Sequence, residues 1–240
     1  MISCWCPEGS FTMGSPASEP ERDSREGPVT VKLSGFWLAK YEFTQGQWEA
    51  LGPGAGKPAV QGKKTDRLPK DGVSWNEATE ACGKFTEQER KAGRLPAGWE
   101  YRLPTEAQWE YACRAGTKTA TAFGDKLDST QANFNGNYPY NGAAKGPNLQ
   151  RTTEVGSCAA NAWGLHDMHG NVWEWCRDWY RDELPGGTDP EVTSDAAHRV
   201  LRGGSWLSSG RYCGSAYRYG YDPDERGERN GFRVAVVRSG

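Results

Sequence analysis

Gly164-Leu-His-Asp-Met-His-Gly-Asn-Val-Trp-Glu-Trp175 is the stretch whose reading decides the fold. Trp173 and Trp175 flank Glu174, so an extended backbone would put both indoles on one face and the carboxylate on the other. A carboxylate buried between tryptophans is costly unless something pairs with it. Asp167, Gly170 and Glu174 fall within eight positions, and Gly170-Asn171 signals a tight turn between them. Carboxylates on a turn whose carbonyls also point inward suit a hard cation such as calcium. The alternative is a buried tryptophan cluster in which Glu174 is bonded to main-chain amides.

Outward from this stretch, the chain of 240 residues suits one domain or two small ones. It carries 29 Lys+Arg against 31 Asp+Glu, which argues against a nucleic-acid binder that relies on a basic face. No apolar run reaches transmembrane length and no signal peptide is recognisable. Met1-Ile-Ser-Cys-Trp-Cys-Pro7 already reads as folded domain, as a piece of a longer chain would. Seven cysteines are an odd number in a domain too large to need stapling, so reduced thiols in a cytoplasmic setting are expected, with one or two disulfides as the alternative. Eleven tryptophans and 31 glycines point to loops and turns pinned by aromatic anchors.

Residues 11–43 read as strands, with Val29–Leu33 alternating and Phe36–Phe43 rich in aromatics. Three capping boxes predict three helices: Thr44 with Gln47, Ser74 with Glu77, and Thr105 with Gln108, the last closed by Gly116. Residues 52–70 read as loop. Beyond Gly116 no helix is expected, and Arg199–Arg202 and Phe232–Val237 read as strands between long ordered loops. The fold class is α+β over residues 1–240, with a division near residue 117 as the alternative.

His166, His169 and His198 complete no zinc pattern. There is no phosphate loop and no nucleophile elbow. Gly203-Gly204 permits a sharp turn that could bring Ser205, Ser208 and Cys213 together, with Cys213 either a reactive thiol or an ordinary buried cysteine. From Trp206 onward the mixture changes. Tyr212, Tyr217, Tyr219 and Tyr221 lie within ten residues, among Ser, Gly, Arg and Asp, a mixture like that of a paratope. Tyr217 and Tyr219 alternate with Ala216 and Arg218, so a strand would send the tyrosines to one face. The alternative is that they pack on the domain's own loops.

Seven ordered motifs carry a resemblance: Gly9–Gly14, Phe36–Thr44, Val73–Ala78, Arg102–Ala112, Gly164–Trp175, Arg202–Trp206 and Gly231–Val234. Over nearly its whole length the chain resembles the formylglycine-generating enzyme family, the sulfatase-modifying-factor domain. The resemblance implies a C-type-lectin-like fold with little regular secondary structure. It implies a calcium site at Asp167, Glu174 and the carbonyls of Gly170 and Val172, and a second one beginning at Asn133 and the carbonyl of Phe134. The family's oxidases hold copper(I) between two cysteines five positions apart. Cys213 matches the second and Ser208 stands where the first would be, while Ser205 and Trp173 match other residues of the active-site groove. Because copper(I) selects thiolates, copper is not expected.

The last forty residues also resemble the variable proteins of diversity-generating retroelements, which display ligand-binding residues in this window. The expected function is therefore a calcium-stabilised, non-catalytic module that binds a protein or peptide through residues 206–230. Its contacts would come from Trp206, Leu207, Ser208 and Ser209, then Arg211 and the four tyrosines, then Glu225, Glu228 and Arg229. The competing expectation is an oxidase acting on a peptide cysteine through Cys213. A third is a structural or regulatory domain with nothing bound.

Overall fold

The computed structural model describes residues 1–52 and 66–239. In chain order its elements are β1 (Ser3–Cys6), β2 (Gly9–Met13), β3 (Val29–Leu33), β4 (Phe36–Ala39), α1 (Gln45–Ala50) and α2 (Trp75–Lys91). β5 (Trp99–Arg102) and α3 (Glu106–Arg114) follow, and then β6 (Trp173–Trp179) after a long ordered loop. The chain closes with β7 (Gly187–Thr188), β8 (Arg199–Arg202), a 3-10 turn (Gly210–Cys213), β9 (Arg218–Tyr221), β10 (Asn230–Gly231) and β11 (Ala235–Arg238).

All three capping boxes close as their spacing requires, with the Thr44, Ser74 and Thr105 side chains each accepting from the N3 amide. The third helix ends at Arg114, with Ala115 as its cap and Gly116 just past it. Ala115 takes the left-handed conformation at φ 45°, and Gly116 follows at φ 91°. The loop assigned to 52–70 lies partly outside the described residues, at 53–65. The strand expected at Phe232–Val237 begins only at Ala235, since Phe232, Arg233 and Val234 run between two short strands.

The strands form three sheets, ordered β1-β4-β11-β5, β10-β6-β8-β9 and β2-β3-β7. β11 lies between β4 and β5, so the end of the chain is built into its beginning. Main-chain bonds from Ala39 to Val234 and from Phe43 to Phe232, both 2.8 Å, continue that seam. The largest apolar cluster takes Cys6, Leu38, Trp109, Leu165, Val200 and Ala235 from both sides of residue 117.

One face of the β10-β6-β8-β9 sheet is charged and buried. The register sets Glu174 beside Arg202 and Arg202 beside Arg218. Across from them α3 supplies Glu106 and Glu110, both fully buried. Arg218 forks onto Glu106 at 2.5 and 2.7 Å, and Arg202 bonds Glu110. Glu110 also accepts from Arg114 at 2.8 Å and from the Gly14 amide at 2.8 Å. Each charge has an opposite partner and directed hydrogen bonds, the condition under which burial of ions is tolerated. Glu174 belongs to the same face. Its carboxylate receives both arms of Arg233, at 2.6 and 2.7 Å, and the Trp109 indole at 2.8 Å.

Replacing Arg233 with Met would leave Glu174 buried without its cation. Denaturant unfolding is expected to register a loss of about 3–5 kcal/mol, and a loss under about 1 kcal/mol would contradict this assignment.

Candidate ligand-binding face

The opposite face of the same sheet is aromatic. Alternation along β6 and β9 turns Trp173, Trp175, Tyr219 and Tyr221 away from the ion pairs. Trp175 is fully buried against Tyr221, with ring centres 6.1 Å apart, beneath the Trp75 segment. Toward the other end the rings become accessible. Trp173 lies 5.8 Å from Tyr219 and 6.1 Å from Tyr217, and Tyr217 meets Tyr212 edge-on at 4.8 Å. Tyr219 is 45% exposed, and Trp173, Tyr212, Tyr217 and Tyr221 are half-buried. The four tyrosines therefore share one face, and Trp173 joins them as the floor.

The polar residues of the window border this row. The Arg211 guanidinium lies 4.5 Å above the Tyr212 ring. Burial, helped by Glu225 beside its hydroxyl, pushes the Tyr221 pKa up, and the Arg229 charge acts against that rise. Glu228 is exposed, and its charge is felt at Asp71 rather than among the tyrosines. Leu207 is 42% exposed, whereas Trp206 is half-buried and held through its amide to the Asn171 carbonyl at 2.9 Å. A segment the sequence did not point to completes the border. Arg25 forks onto Asp23 at 2.7 Å on both arms, and its charge reaches Tyr217 and Tyr180.

Ser205, Ser208 and Cys213 do come together. The Ser205 and Ser208 hydroxyls are 3.1 Å apart, Ser208 accepts from the Ser205 amide at 3.0 Å, and that amide also faces the Cys213 sulfur. Cys213 is fully buried, with Sγ 3.9 Å from the Ser209 carbonyl, and burial pushes its thiol far above the ordinary range. A thiol in that state is not a ready nucleophile. All seven cysteines are free. His169 holds the Cys213 carbonyl at 2.6 Å through Nδ1 and accepts from the Ala122 amide at 3.1 Å through Nε2, which fixes a neutral ring.

The stretch 164–175 is not held by main-chain amides at Glu174, which bonds an indole and a guanidinium instead. Asp167 sits at φ 58°, is 6% exposed, and accepts from the Gly156 amide at 2.6 Å. Gly170, at φ 93°, gives its amide to Gly203 at 2.7 Å, and any Cβ there would collide with the Asn133 carbonyl. Asn133 is a spacer between loops, its amide donating to the Arg151 carbonyl at 3.0 Å and to Asn171 at 3.1 Å, while the Phe134 side chain is buried in a small apolar cluster. Glu42 is the residue sequence reasoning missed. It accepts from the Asn171 side chain at 2.6 Å and the Val172 amide at 3.2 Å. Burial, then the charges of Asp167 and Glu174, raise its pKa well above the carboxylate range. Among the described residues, no three of His, Cys, Asp and Glu are grouped as metal ligands.

The family model described as the sulfatase-modifying factor enzyme 1-like domain matches residues 3–238. The chain belongs to this family. The formylglycine-generating enzyme of Streptomyces coelicolor is 39% identical, over 95% of this chain and 87% of its own. Among solved structures, PvdO from Pseudomonas aeruginosa superposes with a TM-score of 0.79 at 30% identity, covering 97% of this chain and 92% of that one. Treponema denticola variable protein 1 superposes with a TM-score of 0.75 at 26% identity, covering 97% and 94%. The fold is thus the C-type-lectin-like one of this family, mixed short sheets with few helices. No described helix is long and apolar enough to cross a membrane.

Burial pushes the His169 pKa down from 6.5 to about 4. A base with a lower pKa folded than unfolded adds stability that is complete above about pH 6.5 and is lost as pH falls to about 4. Asp178 acts in the opposite sense: burial raises its pKa to about 7, so its contribution is present at low pH and fades as pH rises. The readout is therefore the difference between the parent and His169→Gln. That difference should shrink by up to about 3 kcal/mol between pH 6.5 and 4, and parallel pH profiles would contradict a neutral buried imidazole.

Proposed function

We propose that this chain is a ligand-binding module that offers Trp173, Tyr212, Tyr217, Tyr219 and Tyr221 to a protein or peptide. The observation that carries this reading is the division of one sheet into two faces. One face is closed by buried ion pairs, and the other presents an accessible row of five rings, rigid and amphipathic. Tyrosine and tryptophan give much contact area for little loss of side-chain freedom, which is why binding surfaces are rich in them. The likeness to a protein titled a variable protein supports the same reading.

Calcium is the second part of the proposal. Glu42, Asp167 and Glu174 are all buried, and Arg233 is the cation shared among them. The donors fit a hard cation: Asp167, the remaining lone pairs of Glu174, and the carbonyls of Gly170 and Val172 would hold it. A cation held by two carboxylates and two carbonyls would supply positive charge where carboxylates are in excess. The measurement is thermal unfolding after chelation, with calcium then restored. A rise in Tm that is lost in Asp167→Asn is expected, and an unchanged Tm would refute a structural calcium.

Copper does not fit. One hydroxyl, Ser208, and one buried thiol, Cys213, are a poor donor set for a soft ion. An oxidase acting through Cys213 remains the second reading, favoured by the gathering of Ser205, Ser208 and Cys213 and by the Streptomyces relative. Peptides selected from a random displayed library against the purified protein separate the two readings. Tyr217→Ala and Tyr219→Ala should each weaken capture about tenfold or more, with no formylglycine formed on a cysteine peptide. Undiminished binding in both variants would refute the module, and copper uptake lost in Cys213→Ala would establish the oxidase.

A further inference from the structure

The β10-β6-β8-β9 sheet has two edges. On the β10 side the edge is closed, because the Asn230 carbonyl accepts from the Val73 amide at 3.2 Å. The β9 side is open. Among the described residues, no main-chain or side-chain group of another element bonds the peptide groups of Tyr219, Gly220 and Tyr221 that point away from β8. An edge of unpaired N–H and C=O groups is a template for another strand unless the protein blunts it with proline, charge or a bulge. β9 reads Arg-Tyr-Gly-Tyr, holds register with β8 at all four positions, and its arginine is turned inward onto Glu106. Beyond its short length and that inward arginine, nothing blunts the edge, since β9 carries no proline, no bulge and no outward charge.

We propose that β9 is a strand-addition edge, and that the partner is an extended segment of another protein which pairs with it. The inference rests on the binding reading above and specifies how the ligand lies. A strand added at the usual spacing of about 4.8 Å would place every second side chain beside Tyr219 and its neighbours on the aromatic face. Main-chain bonds would supply affinity, and the rings would supply selectivity for β-branched or aromatic residues at alternate positions. The other face offers little room. A Cβ at Gly220 would come within 2.9 Å of the Tyr180 ring, so that side of β9 is already covered. The residues between the anchors are therefore expected to be small or to project into solvent.

The test uses the full chain and octapeptides selected from a random displayed library. Each peptide is remade with a single N-methyl group at successive positions, and amide hydrogen exchange is followed at Tyr219, Gly220 and Tyr221. Strand addition predicts alternation: methylation at every second position weakens binding about fivefold or more, and intervening positions tolerate it. It also predicts slower exchange along β9 in the complex. Peptides that need Tyr219 but show neither alternation nor protection would overturn strand addition and leave the aromatic face standing. Peptides indifferent to Tyr219→Ala, or a library that yields no binder, would overturn both. Protection that grows with protein concentration in the absence of peptide would overturn the peptide as occupant and install a second copy of this chain.

Discussion

The bidentate bond between Glu174 and Arg233 is the constraint on which the rest depends. Both groups are fully buried, and neither is tolerable there alone. Arg233 also donates to the carbonyls of Ala39 and His166, at 3.1 and 2.9 Å. One guanidinium therefore ties the last strand region to an early strand and to the turn at 164–170. That turn in turn fixes Gly203 through the Gly170 amide and Trp206 through the Asn171 carbonyl. The start of the tyrosine window is set by a chain of bonds that begins in the core.

This arrangement explains why a sheet face rich in charge can sit inside the protein. Glu174, Arg202 and Arg218 form a row across three strands, and α3 meets it with Glu106 and Glu110. Paired ions in fixed geometry hold the strands in register, since a slip of one residue would expose the whole set to the aromatic side. The aromatic side then needs little packing to keep its shape. Trp173 and the tyrosines can remain accessible because their backbone positions are fixed from behind.

Local signals were legible in the sequence, and long-range ones were not. The capping boxes at Thr44, Ser74 and Thr105 are written in four-residue windows and formed as written. Alternation around Glu174 and around Arg218 was enough to divide the faces correctly. The partners of Glu174 were not accessible in this way, because Trp109 and Arg233 lie 65 and 59 positions away. Glu42 was missed for the same reason. Its role depends on Asn171 and Val172, and nothing near Tyr41 or Phe43 announces a buried carboxylate. The resemblance places Trp173 in the family's groove, and its ring lies beside Tyr217 and Tyr219. Regular patterning reveals which way a side chain points, and only the closed topology reveals what it meets.

The central claim is that the accessible face of the β10-β6-β8-β9 sheet receives a ligand. The most direct measurement is the indole N–H spectrum of the protein during titration with a library-selected peptide. The Trp173 resonance should shift saturably while Trp109, locked onto Glu174 behind the sheet, stays in place. A Trp173 resonance that does not move while the peptide binds elsewhere would contradict the account.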